Sequence, residues 1–323
     1  MISSDYIGHE AAWQAWNQAG AGARMHHGWI LSGRRGVGKS AFAMAAARQL
    51  VEEGGEGSTL ADHPDIYYLT HPPKTDGDVR KKADGKPYEV ARNIKVSQIR
   101  ELLQKLTTRP TMGARRAVII DPADDMEPST ANALLKSLEE PPEGTYFLLV
   151  AHRLGRLLPT IRSRCRVLSF PSLAEEEMLE VLRREAPDAP PETRAAAIAA
   201  ANGSPGAAID FVELDLGKVH SIMRRLVEDD DPDLRLRASL ASALGTLPSR
   251  EKQLATLELA RSVVASRRMT AEKADIPELV ETYQALVRLG AQAPTYNFDT
   301  SLLLLEIGTL LATLGGSRTA VNA

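Results

Sequence analysis

The chain has 323 residues, of which 43% are apolar and 25% charged, and its formal net charge is −3. This composition is ordinary for a globular protein of two or three domains, and the charge argues against a broadly basic nucleic-acid-binding surface. The single cysteine, Cys165, excludes an internal disulfide and a cysteine-based zinc site, and the chain shows neither an apolar run of about 18 residues nor a signal-peptide pattern. We therefore expect a cytoplasmic protein without zinc and without a membrane span.

The first predicted helix covers residues 7–19 and carries Trp13 and Trp16 three positions apart. This spacing favours packing into a hydrophobic core. A strand is predicted next, at residues 27–31, and it leads into a glycine-rich loop.

That loop reads GRRGVGKS and matches the phosphate-binding pattern G-x4-G-K-S completely. The glycines let backbone N–H groups turn toward phosphates, the lysine adds a positive charge, and the serine hydroxyl can bind Mg²⁺. A helix predicted at residues 40–50 presents its N-terminus to the same anion. ATP with Mg²⁺ is the expected ligand, and the alternatives are a chance glycine turn or a vestigial loop that binds nothing. The predicted ATP-binding residues are Gly33, Gly36, Gly38, Lys39 and Ser40.

Two polar segments after this helix are predicted to be loops. Residues 52–59 are rich in Gly and Glu, and residues 74–92 are charged and poor in apolar residues. We expect the second segment to be an exposed hairpin or a mobile loop, with lysines that face solvent rather than DNA. A strand is predicted at residues 66–70 and a helix with one apolar face at residues 94–106.

A short apolar run, residues 117–120, ends at Asp121 and is typical of a buried strand in a parallel sheet. In a P-loop fold the acid at this position faces the Mg²⁺ of the nucleotide, so Asp121 and Ser40 are the predicted Mg²⁺ ligands. A helix is predicted at residues 126–140, with Ser129 as its cap, and a second buried strand at residues 146–150.

A basic segment follows, LLPTIRSRC and one further arginine, which together carry Arg162, Arg164 and Arg166. Spacing alone favours ordinary surface charges that close a strand, with Arg164 at a strand's exit. Beyond residue 170 the sequence predicts helices only: three short ones at 173–185, 192–201 and from 202 onward, then longer leucine-striped helices from about 217.

The segments IKVSQIRELL, ANALLKSLEEPP and LLPTIRSRC together resemble the ATPase core of the bacterial sliding-clamp loader, an AAA+ family. That family includes the ATP-hydrolysing gamma/tau subunits and the delta-prime subunit of DNA polymerase III, and the resemblance covers roughly the first two thirds of the chain. It implies an α/β P-loop domain with a parallel sheet at residues 1–170, a small helical lid at 171–213 and an all-α collar at 214–323. It also implies that Arg164 is an arginine finger that reaches a neighbouring subunit's nucleotide. Relatives commonly carry a four-cysteine zinc module, whose cysteines this chain lacks.

Two positions depart from the hydrolysing members of the family. Pro122 follows Asp121 where those members have an acid that orients the attacking water, although Asp124 or Asp125 could substitute for it. Gly206 stands where they have an arginine that senses the terminal phosphate. These losses favour the delta-prime type, which binds ATP weakly or not at all and hydrolyses little.

The resemblance also implies the partners. These are gamma/tau and delta subunits directly, and the sliding clamp and primed DNA through the complex, without any polymerase chemistry in this chain. An ATP-hydrolysing gamma/tau-type subunit and a purely structural ring member remain the alternatives.

Overall fold

The computed structural model of the chain describes residues 6–22, 25–52, 63–229, 231–245, 248–268, 271–292 and 300–321. The chain folds as two units, residues 1–172 and 173–323. The predicted loop at 52–59 lies almost wholly outside the described residues.

Five parallel strands form the sheet of the first unit, in the order β2-β3-β4-β1-β5. The four strands predicted from apolar runs are confirmed with small shifts at their ends. The fifth was not predicted because it is an edge strand with alternating exposed and buried residues rather than a continuous apolar run. The strands are β1 Gly28–Gly33, β2 Ile66–Leu69, β3 Arg116–Ile120, β4 Thr145–Ala151 and β5 Arg166–Phe170.

Helices cover both faces of this sheet. On one face Trp16 and Phe42 pack with Ile119 of β3, and on the other Ile99 and Leu134 pack with other strand residues. Burial on both faces explains why the central strands are apolar throughout. The helices are α1 Glu10–Ala21, α2 Lys39–Glu52, α3 Asp76–Ala83, α4 Val96–Lys105, α5 Pro128–Glu139 and α6 Pro159–Arg162.

Helix α3 corrects the prediction that residues 74–92 form a hairpin or loop. The side chain of Thr75 accepts a hydrogen bond from the backbone N–H of Asp78 and so caps the helix. Acidic residues lie in its first turn and basic residues in its last turn, as the helix dipole favours. The helix sequence, DGDVRKKA, has no apolar stripe, and most of its side chains are exposed. Hydrophobic periodicity therefore could not reveal this helix.

The predicted cap at Ser129 is also wrong. Helix α5 begins at Pro128, so Ser129 lies inside its first turn, and Glu127 stands at its N-cap without a side-chain hydrogen bond. Proline is favoured at the first helical position because its missing N–H would have no partner there.

The described part of the second unit is helical throughout. The three predicted short helices and the helical character of the leucine-striped region are confirmed. Many stripe residues are buried, for example Leu226, Leu240 and Leu311, but Tyr283, Leu302 and Leu305 are 39%, 64% and 49% exposed. No described helix has the length and apolarity needed to cross a bilayer. The division of this unit into lid and collar at residue 213 stays a prediction. Its helices are α7 Glu175–Glu185, α8 Pro191–Ala201, α9 Pro205–Glu213, α10 Gly217–Glu228, α11 Arg235–Leu244, α12 Arg250–Arg267, α13 Ile276–Gln292 and α14 Thr300–Val321.

Candidate nucleotide-binding site and arginine segment

The carboxyl edge of the sheet gathers the predicted phosphate and Mg²⁺ residues. The P-loop follows β1, Asp121 follows β3 and His152 follows β4, and these three strands are neighbours in the order β3-β4-β1. Parallel strands end at the same edge, so Asp121 lies close enough to Lys39 and His152 for its carboxylate to raise the pKa of both groups against the effect of burial.

The P-loop has the backbone that its glycines require. Gly36 and Gly38 have φ values of 78° and 104°, which residues other than glycine rarely adopt. A Cβ atom at Gly33 would collide with the carbonyl oxygen of Phe170 on the adjacent strand. Helix α2 begins at Lys39, so its N-terminus opens directly onto the loop.

Lys39 is buried at 2% exposure, and its ammonium group lies inside the loop. Its Nζ donates to the carbonyl oxygens of Gly33 and Arg34 over 2.7 and 2.6 Å. Burial lowers the pKa of Lys39 to about 8, although the carboxylates of Asp121 and Asp124 oppose that shift. The arrangement places a positive charge where phosphates would bind.

Two residues just before α1 contact the backbone of the P-loop through their side chains. The hydroxyl of Tyr6 donates to the carbonyl oxygen of Gly38 over 2.8 Å, and Nε2 of His9 lies 2.8 Å from the carbonyl oxygen of Val37. Trp13 and Trp16 are 3% and 2% exposed, which confirms that they pack in the core. No sequence motif could have revealed the roles of Tyr6 and His9, because each contacts the loop across about 30 residues.

The two predicted Mg²⁺ ligands share a partner that the sequence did not reveal. Asp121, which is 8% exposed, accepts a hydrogen bond from the hydroxyl of Tyr68 over 2.6 Å. The Ser40 side chain is hydrogen-bonded to the same tyrosine. A hydroxyl and a carboxylate are the hard oxygen donors that Mg²⁺ prefers, so the residue types fit that ion. Elsewhere among the described residues, no cluster of three His, Cys, Asp or Glu side chains could hold a metal.

The acids next to Asp121 are committed to other contacts. Asp124 is 6% exposed and accepts hydrogen bonds from the backbone N–H groups of His152 and Arg153 over 2.8 and 3.1 Å. Asp125 lies 3.3 Å from Nε2 of His71 and 3.4 Å from a guanidinium nitrogen of Arg156. Both carboxylates therefore hold the polypeptide together beside the site.

His152 is a further residue beside the site that the sequence did not reveal. Its Nδ1 atom is buried and has no hydrogen-bond partner within the described structure. Burial, and then the positive charge of Lys39, lowers the pKa of His152, so its ring is neutral at physiological pH. Its position directly after a buried strand could have indicated that His152 lies at the carboxyl edge of the sheet, beside the P-loop.

Arg164 lies at the opposite edge of the sheet from the P-loop. It precedes the start of β5, and its backbone carbonyl is close to Gly28, where β1 begins. The prediction that it stands at a strand's exit was therefore wrong, because β5 had been missed. At about 3.3 Å per residue, the length of β1 puts roughly 16 Å between this edge and the P-loop.

The side chain of Arg164 is 34% exposed and already has partners. One guanidinium nitrogen lies 2.5 Å from Oε1 of Glu139 at the end of α5. Another donates to the carbonyl oxygen of Thr160 over 2.9 Å. Of the neighbouring arginines, Arg162 is exposed and Arg166 lies over the ring of Trp29 at 5.9 Å.

Gly206, which was predicted to replace the phosphate-sensing arginine of hydrolysing relatives, lies in the first turn of α9. There, Ser204 caps the helix by accepting a hydrogen bond from the backbone N–H of Ala207, and Gly206 has no side chain to offer. Arg194 of α8 donates to the carbonyl oxygens of Ala186 and Pro187.

A parallel sheet with a P-loop after β1 and an acid after β3, followed in the chain by a helical unit, defines an α/β P-loop protein of the AAA+ class. The profile of the family described as "DNA polymerase III, delta subunit" matches residues 8–174, about half of the sequence. The chain belongs to this family.

Individual relatives agree with that assignment. The "DNA polymerase III subunit delta'" of Pseudomonas aeruginosa is 36% identical over 207 residues, which are 60% of this chain and 58% of the relative. The "DNA polymerase III subunit gamma" of Buchnera aphidicola is 32% identical over 162 residues, 50% of this chain and 42% of the relative. The chain thus spans about half the length of these curated relatives.

Among solved structures, a gamma subunit-related protein of Thermotoga maritima aligns with a TM-score of 0.53. The alignment covers 94% of this chain and 99% of that chain at 16% identity. At this identity the likeness shows the fold alone.

Proposed function

We propose that this chain is a delta-prime-type subunit of the DNA polymerase III clamp loader, which helps to load the sliding clamp onto primed DNA. Family membership supports the clamp-loader part of this proposal. The choice of the delta-prime type rests on the site, because the relatives include both delta-prime and gamma subunits.

The chain itself would bind ATP weakly and hydrolyse it very slowly. The glycine turns and the Lys39 ammonium support phosphate binding, and the Ser40–Asp121 pair could hold Mg²⁺. Turnover needs a carboxylate that orients water beside the metal ligand, and Pro122 provides none. Asp124 cannot substitute without breaking its two backbone hydrogen bonds at the end of β4.

The observation that carries the proposal is the position of Arg164. A residue some 16 Å away across the sheet is too far to reach this chain's own P-loop phosphates. The segment nevertheless keeps a guanidinium that is 34% exposed, and an adjacent subunit could contact it there. The planar guanidinium suits the oxygens of a phosphoryl group under transfer, so Arg164 would complete the ATP site of a neighbouring gamma/tau subunit.

The partners in this proposal are gamma/tau and delta subunits in the cytoplasm, with the clamp and primed DNA engaged through the complex. A net charge of −3 is consistent with DNA contacts that are local or shared. One alternative is a gamma/tau-type subunit, which the relative from Buchnera keeps open. The other is a purely structural ring member.

Reconstitution tests the proposal. The purified chain is mixed with gamma/tau and delta subunits of the same organism, the mass of the product is measured, and its ATPase is assayed with and without clamp and primed DNA. We expect a stoichiometric complex with stimulated turnover, and turnover by the isolated chain far below the ~1 s⁻¹ at the low end of ordinary enzymes. Fast hydrolysis by the isolated chain would indicate the gamma/tau type, and failure to join the complex would exclude all three forms of the proposal.

A further inference from the structure

The side chain of Tyr68 contacts both candidate Mg²⁺ ligands, Ser40 and Asp121. It is on β2, paired with Ile119 of β3, and Asp121 follows directly at the end of β3. The tyrosine hydroxyl donates to Oδ2 of Asp121 over 2.6 Å, and Ser40 is hydrogen-bonded to the same side chain. Both side chains that would hold a metal ion are therefore in contact with a phenol.

The Tyr68 hydroxyl is the donor and the Asp121 carboxylate the acceptor in this contact. A charge-assisted hydrogen bond of this length is among the stronger hydrogen bonds in proteins.

The ring of Tyr68 is only partly enclosed. It is 42% exposed, and β2 is the edge strand of the sheet. Turning the side chain outward would therefore open no cavity in the core. The contact can be made and broken while the sheet stays intact.

From this geometry we propose that the Tyr68 hydroxyl takes the place of Mg²⁺ between Ser40 and Asp121. It holds both side chains in a metal-free arrangement, so that a nucleotide entering the P-loop is held mainly by the loop and Lys39 and gains little from Mg²⁺. This inference rests on the proposed function, in which the chain binds nucleotide without turning it over. It makes Tyr68, in addition to Pro122, a reason why the chain would bind nucleotide without turning it over.

The test compares how strongly ATP binding depends on Mg²⁺ in wild type and in Tyr68→Phe. Calorimetric dissociation constants are measured in excess Mg²⁺ and in excess EDTA, and their ratio is the readout. A general change in folding or loop packing alters both constants and leaves the ratio unchanged. Since a hydrogen bond to a charged group is worth about 1.5–3 kcal/mol, we expect the ratio to rise about tenfold or more in Tyr68→Phe.

Tyr67→Phe is the matched control. Tyr67 is the preceding residue on β2, so its side chain points to the other face of the sheet, where it is hydrogen-bonded to Arg116. The Tyr67→Phe variant also removes one phenolic hydroxyl from β2. Its ratio of dissociation constants should equal that of wild type.

The same ratio in wild type and Tyr68→Phe would overturn the inference. So would a failure of both proteins to bind ATP under either condition, because the hydroxyl would then not be what keeps the metal out. Neither result touches the role of the chain in the clamp loader, which the reconstitution experiment tests separately.

Discussion

The guanidinium of Arg164 forms an ion pair with Glu139, 2.5 Å from its Oε1, at the sheet edge opposite the P-loop. The pair joins two segments of the recognised sequence pattern, the end of ANALLKSLEEPP and the end of LLPTIRSRC. The side chains are 34% and 48% exposed, and ion pairs this exposed contribute less than about 1 kcal/mol. Glu139 therefore holds Arg164 in the isolated chain without binding it strongly. Under the proposed function, a neighbour's phosphate would replace the carboxylate.

This weak pairing predicts the behaviour of Glu139→Gln. Because the carboxylate only competes with the phosphate, its loss should leave assembly intact and raise the stimulated ATPase of the complex by at most about fivefold. The measurement is steady-state turnover of matched complexes. A tenfold fall would instead mean that Glu139 positions Arg164 for its role.

Lys39 predicts a pH dependence of ATP binding. Its folded pKa of about 8 lies below its ordinary value of 10.5, and a bound phosphate favours the charged ammonium. ATP binding should therefore take up a proton above pH 8, and affinity should fall by up to about tenfold per pH unit there. Calorimetry in buffers of different ionisation enthalpy measures the proton uptake directly.

The controls for this prediction are two lysine variants. Lys39→Ala should abolish ATP binding, whereas Lys136→Ala, which changes an exposed lysine on α5, should leave both affinity and pH dependence unchanged. Equal binding by Lys39→Ala and wild type would show that the loop does not hold phosphate as described.

The same pKa also predicts a change in stability with pH. Between pH 8 and 10.5 the unfolded chain binds the lysine proton more tightly than the folded chain does. The contribution of Lys39 to the free energy of unfolding should therefore increase as pH rises through this window, and Lys39→Ala should remove that increase.

Arg116 predicts a large loss of stability that is unrelated to nucleotide. It is 1% exposed and donates to Thr145 Oγ1 over 2.7 Å and to the carbonyl oxygens of Thr108 and Leu106 over 2.7 and 2.5 Å. Arg116→Ala leaves the buried acceptors of Thr145 and Leu106 without their donor and should lower the free energy of unfolding by about 3 kcal/mol or more.

Tryptophan fluorescence during urea unfolding measures this loss, because all three tryptophans lie in the first unit. The control is Arg115→Ala, whose guanidinium lies 6.0 Å from the ring of Tyr146 and should cost less than about 1 kcal/mol. Similar losses in the two variants would contradict the structural role of Arg116.

The sequence predicted what local patterns encode. Apolar runs revealed the three inner strands and the edge strand β2, and GRRGVGKS with Asp121 revealed the phosphate end of the site. Helix α3 was missed because its charged residues form no apolar stripe, and β5 was missed because its residues, mostly exposed, form no continuous apolar run. Missing β5 also put Arg164 at the wrong end of a strand.

The contacts within the site could not be read from the sequence at all. The bond between Tyr68 and Asp121 joins residues 53 positions apart, and the contact of Asp124 with His152 joins residues 28 positions apart. Such contacts depend on which strands become neighbours. The sequence leaves that order open even when every strand is identified.

The ATPase of reconstituted complexes that contain Arg164→Ala tests most directly whether this chain acts on a neighbour's nucleotide. Complexes with wild type, Arg164→Ala and the exposed neighbour Arg162→Ala are matched for assembly by their mass and assayed with clamp and primed DNA. An arginine finger contributes about 10³–10⁵ in rate at the site that it completes. We expect Arg164→Ala to remove the turnover of one site and Arg162→Ala to remove none, and unchanged turnover and clamp loading with Arg164→Ala would contradict the account.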